Sequence, residues 1–214
     1  LLFIFDWDGT LCDSTAIITT AMQQAARELA WPVPGNEEVH NIIGLGLPEA
    51  AAQLYPAVDA AARLRLQNTY RRCFLELDNK QPPGLFPTVQ ETLERLRDLG
   101  HSLAIATSKS REGLERVLAG LGMLAFFHGS RCADETASKP HPLMLEELLA
   151  EFARPAAEAV MIGDTEYDMA MARALAMPRI AVSYGAHCSA RLHLYEPELC
   201  LDRLEQLLQW RGCR

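Results

Sequence analysis

Asp6 and Asp8 stand two residues apart in DWDGTL (6–11), where the wholly apolar run LLFIF stops. Two carboxylates this close repel one another unless a cation or a proton relieves them, which implies Mg²⁺ at one and acid/base work at the other. A carboxylate attacks phosphorus without a general base, so Asp6 can be a nucleophile; Asp8 can protonate a leaving oxygen and later deprotonate water. Gly9 permits a tight turn that returns the backbone over a small ligand. The same residues also read as a strand followed by an Asx-type turn with no chemistry attached.

Three further polar signals follow apolar runs or stand between them. Thr107 and Ser108, in ATSKS (106–110), offer a hydroxyl and backbone N–H groups to phosphate oxygens, as do the residues opening the next helix; ordinary helix capping explains them too. Lys109 reads as a solvated side chain. Lys139, in SKPHP, can offset gathered carboxylates, and Pro140 can fix its angle of entry. In GDTEYD (163–168), Asp164 ends a strand as a natural Mg²⁺ ligand. Asp168 lies one helical turn on, facing the same pocket or serving only the helix dipole.

Elements that could bring these residues together are legible. Residues 1–5, 102–107, 159–163 and 180–182 read as strands, the first buried on both faces as in a parallel sheet. A weaker strand is expected near Phe126. Helices are marked by Val89, Leu93, Leu96 and Leu99, by Leu114, Val117 and Leu118, by Leu145, Leu148, Leu149 and Phe152, and by Met171, Ala174 and Leu175. An amphipathic C-terminal helix is expected over Leu201, Leu204, Leu207 and Leu208. From Ser14 to about Lys80 the texture is helical, with Ile18, Met22, Ala25 and Leu29 on one face, a loop holding Gly44, Gly46 and Pro48, and a second tract from Val58 to Leu77. QPPGLFP (81–87) is the return path. The expectation is a doubly wound, Rossmann-like α/β core from residues 1–14 and 81–214, with an all-helical domain over 15–80 inserted after the first strand. Ligands of open α/β sheets bind beyond the carboxyl ends of the strands, so Asp6, Thr107 and Asp164 should share one rim.

Composition narrows the partners. With 214 residues there is room for one main core and a smaller module. Twenty basic against 28 acidic residues, with no basic block, argue against nucleic acid or an anionic membrane surface. Only three lysines occur, Lys80, Lys109 and Lys139. Six dispersed cysteines without a CxxC pair suggest reduced, cytoplasmic thiols rather than a zinc site or a disulfide scaffold. The six histidines show no ligand spacing, and Trp31 and Trp210 read as packing residues. LLFIF is too short for a signal peptide, and the opening inside a strand without methionine leads us to expect a few preceding residues.

Taken together, the motifs resemble those of the haloacid dehalogenase-type phosphohydrolase superfamily, in its helical-cap, phosphoglycolate phosphatase-like branch. Asp6, Trp7, Asp8, Gly9 and Thr10 match its DxDGT motif, Thr107 its strand-end Ser or Thr, Lys139 its lysine in a KPHP segment, and Gly163, Asp164 and Asp168 its GDxxxD. The likeness runs over essentially the whole chain. It implies Asp6 as the phosphorylated nucleophile and Asp8 as acid/base, with Thr107 and Lys139 completing the catalytic set. Phosphate contacts are expected from Gly9, Thr107, Ser108 and Lys139. Mg²⁺ is expected on Asp6, the Asp8 backbone carbonyl and Asp164, with Asp168 behind them. Trp7 stands where a smaller residue or phenylalanine is usual and should point into the core; Ser108 stands where asparagine is frequent. Asp8 argues against dehalogenation, which lacks the second carboxylate, and Lys80, at the hinge, argues against a phosphonate hydrolase. The expected substrate is a small phosphorylated metabolite, foremost 2-phosphoglycolate, with pyrophosphate, sugar phosphates or a β-phosphoglucomutase reaction as alternatives. A catalytically silent domain that binds a phosphorylated ligand or a protein is the alternative of another class. Monomer and homodimer are both open.

Overall fold

The computed structural model describes residues 1–213. Six strands form one parallel sheet: β1 (Leu2–Phe5), β2 (Ser102–Thr107), β3 (Gly129–Cys132), β4 (Ala159–Gly163), β5 (Arg179–Val182) and β6 (Leu199–Leu201). Their order is β3-β2-β1-β4-β5-β6, the doubly wound arrangement. All four residues of β1 are buried, as the unbroken apolar run requires of a central strand covered by helices on both faces. Phe3 and Phe5 point into one apolar layer with Val160, Ile162 and Leu93; Leu2 and Ile4 point into the other with Met161, Leu145 and Met171.

Register sets the position of the polar strand ends. Phe5 pairs with Ile105 of β2 on one side and with Ile162 of β4 on the other. Asp6 leaves the sheet one step later and donates its N–H to Ile162 O at 2.9 Å. Thr107 and Asp164 therefore emerge beside it, at the point where successive crossovers run to opposite sides of β1.

Between β1 and the core helix α5 (Val89–Asp98) come four helices: α1 (Thr15–Glu28), α2 (Asn36–His40), α3 (Leu47–Leu54) and α4 (Ala60–Lys80). They bury an apolar cluster of their own, including Ile18, Met22, Ala25, Val39, Leu66 and Phe74. Asp59 caps α4 by accepting from Ala62 N–H at 2.8 Å. The glycine-proline stretch expected as a loop holds the start of α3, with Pro48 in its first turn, where a missing N–H costs nothing. The remaining core helices are α6 (Arg111–Gly120), α7 (Leu143–Glu151), α8 (Glu166–Ala174) and α9 (Ser189–His193).

Two expected elements differ. The strand expected near Phe126 lies at Gly129–Cys132, while Phe126 packs against the core from the preceding turn. The expected C-terminal helix is instead the edge strand β6 followed by a 3₁₀ turn, Leu204–Gln209. Leu201, Leu204 and Leu207 still all face the core, because a spacing of three satisfies a 3₁₀ turn as well as an α-helix. Trp7 is fully buried and meets Phe127 edge-on at 6.3 Å, as the departure at that position implied. Among the described residues no helix is long and apolar enough to cross a membrane.

Candidate active site

The rim gathers three carboxylates and one ammonium from three separate segments, the end of β1, the loop holding Lys139 and the β4–α8 junction. Asp6 Oδ1 accepts from Trp7 N–H at 2.7 Å and lies 2.8 Å from Lys139 Nζ. Lys139 Nζ also donates to Asp168 Oδ1 at 2.6 Å, and the Lys139 and Asp168 side chains are wholly inaccessible. Asp168 Oδ2 accepts from Thr165 N–H (3.1 Å) and Thr165 Oγ1 (2.7 Å), so the carboxylate both caps α8 and grips the lysine. Asp164 Oδ1 accepts from Thr10 Oγ1 and Oδ2 from Ala186 N–H, each at 2.7 Å.

Small residues make this density possible. Gly9 has φ +82°, and a Cβ there would lie 2.3 Å from Asp164 Oδ2; at Gly185 it would lie 2.2 Å from Asp164 Cβ. Expected among the phosphate contacts, Gly9 donates its N–H within the turn, to Cys12 O at 2.9 Å. Its contribution is the space it leaves for Asp164.

The charges do not balance, and the ionisation shifts record it. Burial, offset by Lys139 and reinforced by Asp168 and Asp164, holds the Asp6 carboxyl well above the usual carboxylate range. Burial, then the neighbouring Asp168, pushes Asp164 up to about 7. Lys139 is desolvated as well, yet Asp168 and Asp6 outweigh that and raise its pKa. One oxygen from each of Asp6, Asp164 and Asp168 falls within 4.8 Å of the others. Buried hard oxygen donors with one ammonium against three carboxylates fit a divalent cation such as Mg²⁺. Among the described residues Asp6 Oδ2 has no hydrogen-bond partner; both oxygens of Asp164 and of Asp168 accept hydrogen bonds, and of these two it is Asp168 whose charge is already paired with the Lys139 ammonium. Asp168 thus belongs behind the cluster.

In front of Asp6 a cavity of about 520 Å³ opens between core and helical insert. Asp6, Asp8, Thr107 and Ser108 line it on the core side, and Gly44, Leu45 and Gly46 on the insert side, with Tyr70 and Phe74 from α4. Asp164, Asp168 and Lys139 stand behind this wall. The insert is seated: Ser108 Oγ donates to Gly44 O, Gly46 N–H to Ser138 Oγ at 2.8 Å, and Tyr167 OH to Asn41 O at 2.7 Å. His187 joins the two parts, with Nδ1 accepting from Glu166 N–H at 3.0 Å and Nε2 lying 3.2 Å from His40 O. Burial pushes its pKa down to about 4, which keeps the ring neutral for both bonds.

Two corrections concern the Thr107 loop. Lys109 is not solvated: its Nζ lies 3.1 and 3.0 Å from the two oxygens of Asp8. Of the N–H groups opening α6, that of Gly113 donates to Ser110 Oγ and that of Arg111 to Asp134, so these two are not free for a ligand. Sequence reasoning also gave no role to Thr10, Ala186 or His187. The last two lie in YGAH just past β5, at the same rim, so the strand-end rule that found Asp164 reaches them too.

Comparison with known proteins agrees with this geometry. A family model described as haloacid dehalogenase-like hydrolase matches residues 3–182. The chain is 34% identical over 211 residues to the protein described as probable phosphatase IndB of Dickeya dadantii, covering 97% of this chain and 91% of that one. It is 29% identical to a phosphoglycolate phosphatase of Vibrio parahaemolyticus, covering 97% and 94%. A haloacid dehalogenase-like family hydrolase from Streptococcus pneumoniae superposes with a TM-score of 0.84 at 25% identity, covering 97% and 96%.

Proposed function

The chain belongs to the haloacid dehalogenase-like hydrolases, and from that premise we propose that it hydrolyses a small phosphomonoester through a phosphorylated Asp6. The observation that carries this reading is the state of the Asp6 carboxylate. One oxygen is pinned by Trp7 N–H and Lys139 Nζ, while the other has no partner and the residue fronts the cavity. A nucleophile held in orientation yet free at its attacking atom meets the geometric requirement for in-line transfer.

In the first step Asp6 Oδ2 bonds to phosphorus, the ester P–O bond breaks, and the Asp8 carboxyl gives its proton to the departing oxygen. In the second, water attacks the same phosphorus, Asp8 takes its proton, and the bond to Asp6 breaks to release inorganic phosphate. The Thr107 hydroxyl and Ser108 N–H hold the transferring phosphoryl oxygens; Lys139, with Asp168 behind it, orients Asp6 and favours its ionised form against the burial that opposes it. Asp6, the Asp8 backbone carbonyl and Asp164 would hold Mg²⁺, which supplies Lewis-acid neutralisation of the phosphoryl charge. Residues 15–80 act as a cap that excludes bulk water and selects the leaving group. Six cysteines without a disulfide suit a reducing, cytoplasmic setting.

The substrate we put first is 2-phosphoglycolate, a choice supported by relatives of that name at 28–29% identity over nearly the whole chain. The test is Mg²⁺-dependent phosphate release from 2-phosphoglycolate, pyrophosphate, sugar phosphates and nucleoside monophosphates, with Asp6→Asn in parallel. Selective release that vanishes in the variant is expected. Release that persists in the variant overturns the nucleophile, and release from none of the compounds overturns the phosphatase.

A further inference from the structure

Asp8 is held by two groups, and both are tied to the helical insert. Lys109 Nζ spans its two carboxylate oxygens at 3.1 and 3.0 Å, and Ser14 Oγ donates to Oδ1 at 2.7 Å. Ser14 is the residue from which α1 starts. The Lys109 ammonium lies 4.9 Å from the centroid of the Phe74 ring, and Phe74 sits in the apolar cluster of the insert. Lys109 and Asp8 are little exposed, at 11% and 16% of their side chains.

We propose that Lys109 is a positioning residue that aims the Asp8 carboxyl at the leaving-group oxygen and, through Phe74, makes that aim depend on closure of the cap. The inference rests on the reading of Asp8 as the acid of the first step. A free lysine side chain has about 2 kcal/mol of rotamer entropy to lose, and the ring face under its ammonium offsets part of that cost by fixing the end of the chain. With the cap displaced, Phe74 leaves, the ammonium regains its freedom, and Asp8 keeps only the Ser14 contact. Thr107 and Lys109 thus divide one loop: the first faces the phosphoryl group, the second the acid beside it.

The test uses leaving-group dependence, which a merely structural role does not move. An alkyl phosphate requires a proton on its departing oxygen, whereas the p-nitrophenolate of p-nitrophenyl phosphate departs without one. We compare kcat/KM, which reports the steps up to phosphorylation of Asp6, for 2-phosphoglycolate and p-nitrophenyl phosphate. Lys109→Met is expected to lower the alkyl value at least tenfold more than the aryl value, Lys109→Arg to recover most of the difference, and Phe74→Leu to act in the same direction less strongly. Asp8→Asn serves as the reference. If it is leaving-group selective while Lys109→Met lowers both substrates equally or neither, the role of Lys109 is overturned and that of Asp8 stands. If Asp8→Asn is itself unselective, the acid assignment fails, and the role of Lys109 with it. Should Lys109→Met not fold, the Phe74→Leu ratio decides on its own, since equal effects of that variant on both substrates contradict the proposal.

Discussion

Lys139 Nζ lies 2.6 Å from Asp168 Oδ1 with neither side chain exposed, joining a loop to the first turn of α8 across 29 residues. The pair is part of a buried network in which Asp6 is the second carboxylate on the same ammonium, at 2.8 Å. Removing one member of such a network costs far more than removing an exposed ion pair, because the partners stay buried without compensation.

Lys139→Ala should therefore lower unfolding free energy in metal-free protein by about 3–5 kcal/mol. Turnover should fall by about 10²–10³-fold, the usual cost of losing one preorganised donor at a reacting group. Added Mg²⁺ should recover part of the stability, since it offsets the same negative charge. Urea unfolding with EDTA and with Mg²⁺ measures both; a loss under 1 kcal/mol in EDTA would show that the network is relieved by other means.

Asp6→Asn separates chemistry from structure. The amide oxygen can still accept from Trp7 N–H and Lys139 Nζ, but an amide does not attack phosphorus. Phosphate release should drop by at least about 10⁴-fold. The melting temperature should stay within a few degrees, because the variant also removes a carboxylate that burial holds out of its ordinary range. Acid-quench trapping with labelled substrate should find phosphate on the parent protein and none on the variant.

Stability should couple to pH through Asp164. Its pKa is pushed up to about 7, so between about pH 4 and 7 the folded metal-free protein holds a proton that the unfolded chain releases. In EDTA this contribution is present at low pH and is lost as pH rises through 7. Mg²⁺ competes with that proton, so the rise in melting temperature on adding Mg²⁺ should be larger at pH 8 than at pH 6. Asp164→Asn should shrink the Mg²⁺-induced rise at both values. An equal rise at pH 6 and 8 in the parent protein would detach Asp164 from metal binding.

Much of this site was legible because its residues end apolar strands. Asp6, Thr107 and Asp164 each follow a run that only a buried parallel strand explains, and a parallel sheet aligns such ends on one rim. Lys139 depended on the rarity of lysine and on the family motif. Lys109 was misjudged because its partner, Asp8, lies 101 residues away and no local pattern marks a pair closed by the fold. The edge strands were the hardest elements. GSRC at 129–132 carries almost no apolar signal, since an edge strand needs fewer buried faces, and β6 hides inside a leucine spacing that suits a helix.

The contact between insert and core depends on Gly44, which makes it the place to test cap closure. Its φ is +98°, and a Cβ there would lie 2.7 Å from Thr165 Oγ1 and 3.0 Å from the Tyr167 ring. Thr165 Oγ1 is bonded to Asp168, so a displaced Thr165 disturbs the carboxylate that holds Lys139. Gly44→Ala has two ways to relax: the insert lifts, breaking the Ser108 hydroxyl contact to the Gly44 carbonyl, or the charge network shifts. Either lowers activity, while the separate apolar cluster of the insert keeps the stability loss to about 1–3 kcal/mol, the scale of one strained backbone position. We expect kcat/KM to fall at least tenfold and proteolysis within residues 81–87 to quicken. Gly120→Ala is the control, because nothing lies within 4 Å of its Cβ, its φ is outside the left-handed region and it stands apart from the cleaved segment. If Gly44→Ala and Gly120→Ala behave alike in both assays, the insert does not need its observed seat for turnover, and selection of the leaving group must lie in the core.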